Sequence, residues 1–80
     1  MGIVPNPVID ILEIEMSENH KIAKIKLTDM SGMVVDVYEN NNNMIIHKDL
    51  NLSSFRNVYY TITMEDQDRN LFTKKLLKSN

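Results

Sequence analysis

Few residues in this chain could carry chemistry. Histidine occurs twice, at His20 and His47, and cysteine is absent. A nucleophilic triad needs a positioned serine, a histidine within reach and an orienting carboxylate, and no serine here stands in a nucleophile-elbow context. His20 lies in the polar stretch Ser17-Glu18-Asn19-His20-Lys21 and reads as a solvated turn residue. His47 follows Met44-Ile45-Ile46 and is expected to end a strand. Two separated histidines without thiolates make a poor zinc set. Asp66-Gln67-Asp68-Arg69-Asn70 begins like a calcium loop, with alternating oxygen ligands. Its sixth position, where the sharp turn wants glycine, is Leu71, and its twelfth, where a bidentate glutamate belongs, is Leu77. A polar hairpin turn is the better reading, with a weak calcium contact as the most it could offer.

Asp10, Glu13 and Glu15 could pair as acid and base. On an extended strand, however, Glu13 and Glu15 share an outward face with nothing to desolvate them, which describes a solubilising surface. Asn51-Leu52-Ser53 matches a glycosylation acceptor, a pattern short enough to be common by chance. There is no glycine-rich phosphate loop. The residues therefore assign no catalytic set, no metal and no cofactor, and the chain reads as non-enzymatic.

The elements that must position these residues follow a period of two. Leu12, Ile14 and Met16 alternate with Glu13 and Glu15; Ala23, Ile25 and Leu27 with Lys24 and Lys26. Met33, Val35 and Val37 fall opposite Val34, Asp36 and Tyr38, and Tyr60, Ile62 and Met64 opposite Thr61 and Thr63. No segment sustains the i, i+3, i+4, i+7 pattern of a helix. Asp29-Met30-Ser31-Gly32 supplies a hairpin turn with a glycine able to take positive φ, Asn40 to Asn43 reads as a solvated loop, and Glu65 to Asn70 as a polar turn before a last strand, LFTKKLLK. Pro5 and Pro7 keep the opening segment outside any central strand. The prediction is a small antiparallel immunoglobulin-like β-sandwich of six or seven strands, all-β, in a single domain over 1–80.

Composition bounds the partners. An 80-residue chain buries only about 60% of its unfolded surface, so its core must be economical. A net charge of −2 argues against nucleic acid, which a basic surplus would attract. No stretch approaches the ~18 apolar residues of a membrane-crossing helix, and the first residues, MGIVPNPV, lack the basic start and apolar core of a signal peptide. The chain is expected to be either cytosolic or a piece of a longer exported protein. Residues 69–80 hold Arg69, Lys74, Lys75 and Lys78 and no acid, a local +4. Lysines on a terminal strand blunt a sheet edge against association; the alternative is a recognition handle. Charge alone favours the first.

Taken in order, these segments resemble the C-terminal sorting domain of the bacterial type IX (Por) secretion system. Val4-Pro5-Asn6-Pro7 running into Asp10-Ile11-Leu12-Glu13-Ile14 is similar to the family's opening Tyr-Pro-Asn-Pro and Asp-x-Leu-x-Ile. Ile25-Lys26-Leu27-Thr28-Asp29-Met30-Ser31-Gly32 resembles its strand and turn to glycine. Leu52-Ser53-Ser54-Phe55-Arg56-Asn57-Val58-Tyr59-Tyr60 follows the spacing of its Leu-Ser-x-Leu-x-x-Gly-x-Tyr, and Thr73-Lys74-Lys75-Leu76-Leu77-Lys78 its lysine-rich close. Val4, Phe55 and Val58 depart from the family's tyrosine, leucine and glycine; that glycine is expected to serve a backbone conformation valine resists.

The resemblance implies a domain at the end of a larger cargo protein, recognised by an outer-membrane translocon after periplasmic transit. A sortase-like peptidase would then cut it off, leaving the cargo on the cell surface or secreted. It carries over Pro5, Asn6 and Pro7 at the opening, Gly32 and Tyr60 in the body, and Lys74, Lys75, Leu76, Leu77 and Lys78 as the recognised strand, whose exposed edge could add to another sheet. The other readings are an immunoglobulin-like accessory module binding glycan or protein, which an aromatic platform of Tyr38 and Tyr59 would favour, and a structural spacer.

Overall fold

The computed structural model describes residues 1–39 and 45–79. Their strands are β1 (Gly2–Val4), β2 (Ile11–Glu15), β3 (Ile22–Asp29), β4 (Val34–Glu39), β5 (His47–Asn51), β6 (Tyr59–Asp66) and β7 (Leu71–Leu77), and no helix occurs among the described residues. They form two antiparallel sheets, ordered β1-β2-β5 and β4-β3-β6-β7. This is the small all-β sandwich expected from the alternation. The solvated loop expected at Asn40 to Asn43 lies outside the described residues.

The alternating faces meet between the sheets. Leu12, Ile14 and Met16 from the β2 segment pack with Ile25 and Leu27 of β3, Tyr60, Ile62 and Met64 of β6 and Leu76 of β7. Val8, Ile22 and Leu52 belong to the same core. Each fully buried leucine or isoleucine contributes roughly 1.5–3 kcal/mol relative to exposure, so a core this small depends on nearly all of them.

Two expectations need correction here. The alternation of Met33, Val35 and Val37 with Val34, Asp36 and Tyr38 is not kept as an unbroken strand face, and all of residues 33–37 are exposed. Leu27 pairs with Asp36 while Thr28 pairs with Val34, which leaves Val35 unopposed in a bulge that breaks the alternation at an edge strand. His47 does not end a strand but begins β5, paired with Glu15. The short edge strand β1, pairing Ile3 with Ile14, has too few residues to show a period.

Both hairpins of the four-stranded sheet turn on an aspartate, Asp29 at the end of β3 and Asp66 at the end of β6. Gly32 sits in the first with φ 91°, the positive φ its position suggested.

Candidate recognition surface

β7 is one edge of the four-stranded sheet, and its register decides what it can present. Tyr60 pairs with Leu76 and Ile62 with Lys74, while Thr61 pairs with Lys75 and Tyr59 with Leu77. Directly opposed residues share a face, so Leu76 turns into the core and Lys75 turns outward. Leu76 is fully buried, Leu77 is half-buried, and Lys74 and Lys75 are exposed. Lys74 shares the inner face with Ile62 yet reaches solvent at the open rim, the inward-pointing lysine that discourages edge-to-edge pairing. The Lys75 ammonium lies 4.5 Å from the centre of the Tyr59 ring.

Lys78 belongs to the interior. Only 2% of it is exposed, and its ammonium donates to Asn57 Oδ1 at 3.2 Å and to the Ser79 carbonyl at 3.4 Å. The exposed part of the terminal segment is therefore Lys74 on the inner-face side and Lys75 with part of Leu77 on the outer face, while Leu76 and Lys78 hold it in place.

Half of the β7 edge is also covered, contrary to the expectation of an exposed edge. The amide of Leu77 donates to Asn6 Oδ1 at 3.1 Å, and Asn6 Nδ2 donates to the Lys75 carbonyl at 3.5 Å. The Val8 amide donates to the Leu77 carbonyl and the Ser79 amide to the Val8 carbonyl, each at 2.8 Å. Asn6 thus touches the far end of the chain, a contact no local pattern could signal. Pro5 and Pro7 flank it on the exposed surface, after cis peptide bonds.

Of the body residues carried over by resemblance, Gly32 lies in a turn and Tyr60 in the core. Tyr60 is 4% exposed, and its hydroxyl donates to the Arg56 carbonyl at 3.1 Å. Val58 does not need glycine's freedom: among described residues only Gly32 and Arg69 have positive φ. Its amide donates to the Arg56 carbonyl, its carbonyl accepts from the Lys78 amide, and its side chain packs against the core.

Histidine chemistry differs from the sequence reading. His20 is not simply solvated: it is half-buried, with Nδ1 2.7 Å from Asp66 Oδ2 and its ring edge-on to Phe72. Asp66 is 1% exposed. Burial would raise its pKa, but bonds from His20, the Asn70 side chain and the Asn70 and Asp68 amides outweigh this and hold its carboxyl well below the usual carboxylate range. The Asp66 carboxylate, the first oxygen donor of the calcium-like run, is thereby spent on the turn and on His20.

On the outer face of the three-stranded sheet, Glu13 pairs with Asp49 and Glu15 with His47. Ligand atoms of Glu13, His47 and Asp49 lie within 4.8 Å of one another, all on exposed side chains. Desolvation lowers the His47 pKa, but its bonds to Asp49 and Glu15 carry it above the ordinary value of 6.5. Cross-strand register brought these residues together, and sequence spacing could not have shown it.

Among the described residues, neither the recess on the four-stranded sheet nor the tyrosines make a ligand site. The open recess lined by Lys24, Lys26, Thr63, Glu65 and Leu71 holds about 170 Å³, short of the ~300 Å³ at which ligand pockets begin. Tyr59 lies on the outer face of the four-stranded sheet, whereas Tyr38, opposite Ile25, lies on the inner face under Lys48. The two tyrosines form no common platform.

The model of the family described as the secretion system C-terminal sorting domain matches residues 2–79. No curated protein and no solved structure matches the chain.

Proposed function

The chain belongs to the type IX (Por) secretion system C-terminal sorting domain family, and from that premise we propose that it directs an upstream cargo out of the cell through the outer-membrane translocon. As a type IX sorting signal, it would travel with its cargo through the periplasm. Translocon recognition and removal by a sortase-like peptidase would then leave the cargo at the surface or secreted. The observation that carries this reading is the match over nearly the whole chain. The domain itself contributes a shape and a charged strand rather than a reaction, so it is read as non-enzymatic.

Lys74 and Lys75 are the residues assigned to contact the translocon. They project from opposite faces of an edge strand anchored by the buried Leu76, so one cation lies on each side of the rim. Charged groups on such a rim set partner choice and encounter rate more than total affinity. An accessory binding module gains nothing from the separated tyrosines.

Deleting residues 74–80 would remove the buried Leu76 along with the lysines and confound recognition with folding. The sharper test is Lys74→Glu with Lys75→Glu in residues 1–80 fused behind a periplasmic reporter, in a bacterium with an intact type IX system. Surface display that falls at least tenfold while the domain keeps its thermal midpoint within a few degrees supports the assignment. Undiminished display removes the two lysines from it.

A further inference from the structure

We propose that residues 5–8 act as a strap over the outer edge of β7, with Asn6 as its clasp, so that this edge opens to another strand only when the opening segment is lifted. The inference rests on the reading of β7 as the recognised strand, and it assigns to Asn6 a role that the resemblance leaves unstated.

β7 pairs with β6 through one set of its backbone groups, and in an antiparallel ladder the alternate residues direct their N–H and C=O groups the other way. On that free side Lys75, Leu77 and Ser79 meet the opening segment. Asn6 imitates a strand there: its amide oxygen accepts from the Leu77 N–H, and its amide nitrogen donates to the Lys75 carbonyl. Val8 continues the imitation with real backbone, donating to the Leu77 carbonyl and accepting from the Ser79 amide, in a parallel bridge to Lys78.

Proline on both sides of Asn6 removes the amides at positions 5 and 7, so this stretch could not form a regular ladder with β7. A side chain with one donor and one acceptor takes the place of the missing backbone. Val8 is fully buried and anchors the strap at one end, while Asn6 is exposed and holds the end that can release.

The consequence is an exclusive choice. A partner strand adding along Lys75–Ser79 must displace Asn6 and the Val8 backbone, because one edge group cannot serve two ladders. Without displacement, a partner is confined to the first half of β7, around Leu71 and Thr73. The strap also ties the residues nearest an upstream cargo to the strand read as the export signal.

The clasp is tested by amide hydrogen exchange on residues 1–80, comparing wild type with Asn6→Ala and Asn6→Asp. Losing the bond to Leu77 is expected to speed exchange of the Leu77 amide by roughly fivefold in Asn6→Ala, while core amides such as Ile62 keep their protection. Asn6→Asp retains an acceptor and keeps Leu77 slow. Unchanged Leu77 exchange in Asn6→Ala overturns the strap, as does a uniform rise across all amides, which would make Asn6 an ordinary stability residue. Neither outcome depends on export. Conversely, a wild-type fusion that never reaches the surface counts against the sorting reading and leaves the exchange result standing.

Discussion

The β3–β4 and β6–β7 hairpins solve one backbone problem with different residues. Asp29 Oδ1 accepts from the Ser31 and Met33 amides at 2.9 and 3.0 Å; Asp66 Oδ1 accepts from the Asp68 and Asn70 amides at 2.9 and 2.8 Å. In each turn the residue three after the aspartate has positive φ, 91° at Gly32 and 66° at Arg69. The difference lies in what surrounds the second carboxylate oxygen. Asp29 is partly exposed and its turn closes on itself, helped by the Ser31 hydroxyl. Asp66 is buried, and its Oδ2 takes a bond from Asn70 Nδ2 and the contact with His20.

Gln67 extends that second turn further, accepting from the Lys21 amide and donating to the Asn19 carbonyl. The first hairpin is therefore a local closure, and the second is an anchor that joins the β2–β3 connection to the start of β7. A glycine suits the first because only the turn specifies its backbone. Arginine holds positive φ in the second because tertiary bonds over-determine the conformation.

The largest expected contrast comes from removing each aspartate. Asp66→Ala strips a buried cluster of its acceptor and should lower the melting midpoint by roughly 10 °C or more, against only a few degrees for Asp29→Ala; equal losses would dissolve the distinction. Acid sharpens it further. The folded pKa of Asp66 is depressed, so the stability it supplies is complete above the unfolded value of 3.8 and is lost as the pH falls below that value. Thermal scans between about pH 6 and pH 2.5 should show a steep decline in wild type and a shallower one in Asp66→Asn.

His20→Ala comes next, leaving Asp66 Oδ2 one partner short. Its midpoint should fall by roughly 5 °C at neutral pH, with the change centred on amides of the β2–β3 and β6–β7 turns in hydrogen exchange. The smallest effects belong to the positive-φ positions and have opposite signs. Gly32→Ala should lose a few degrees and Arg69→Gly should gain a degree or two, since glycine carries no side-chain penalty there. A loss on Arg69→Gly would mean that the arginine itself holds the turn.

How much of this was legible in the sequence depends on whether the cause was local. The core strands were readable, because burial on one face writes itself as a period of two in Leu12-Glu13-Ile14 and Tyr60-Thr61-Ile62. Gly32 announced its turn. The turn at Asp66 was legible as polar, but its burial was not, because His20 reaches it from 46 residues away. β4 misled because a bulge shifts its register at an edge with no core to enforce alternation. At the recognition surface, Lys74 and Lys75 stood out as charge, whereas the inward aim of Lys78 and the reach of Asn6 depend on pairing between the chain's two ends.

The measurement that bears most directly on the sorting role is display of a reporter carrying residues 1–80 at its C-terminus, compared between a bacterium with a working type IX system and the same bacterium lacking the translocon. Surface display in the first and periplasmic retention in the second is the result expected here. A folded fusion held in the periplasm of both strains, or displayed equally by both, would contradict the assignment of this domain as a type IX export signal.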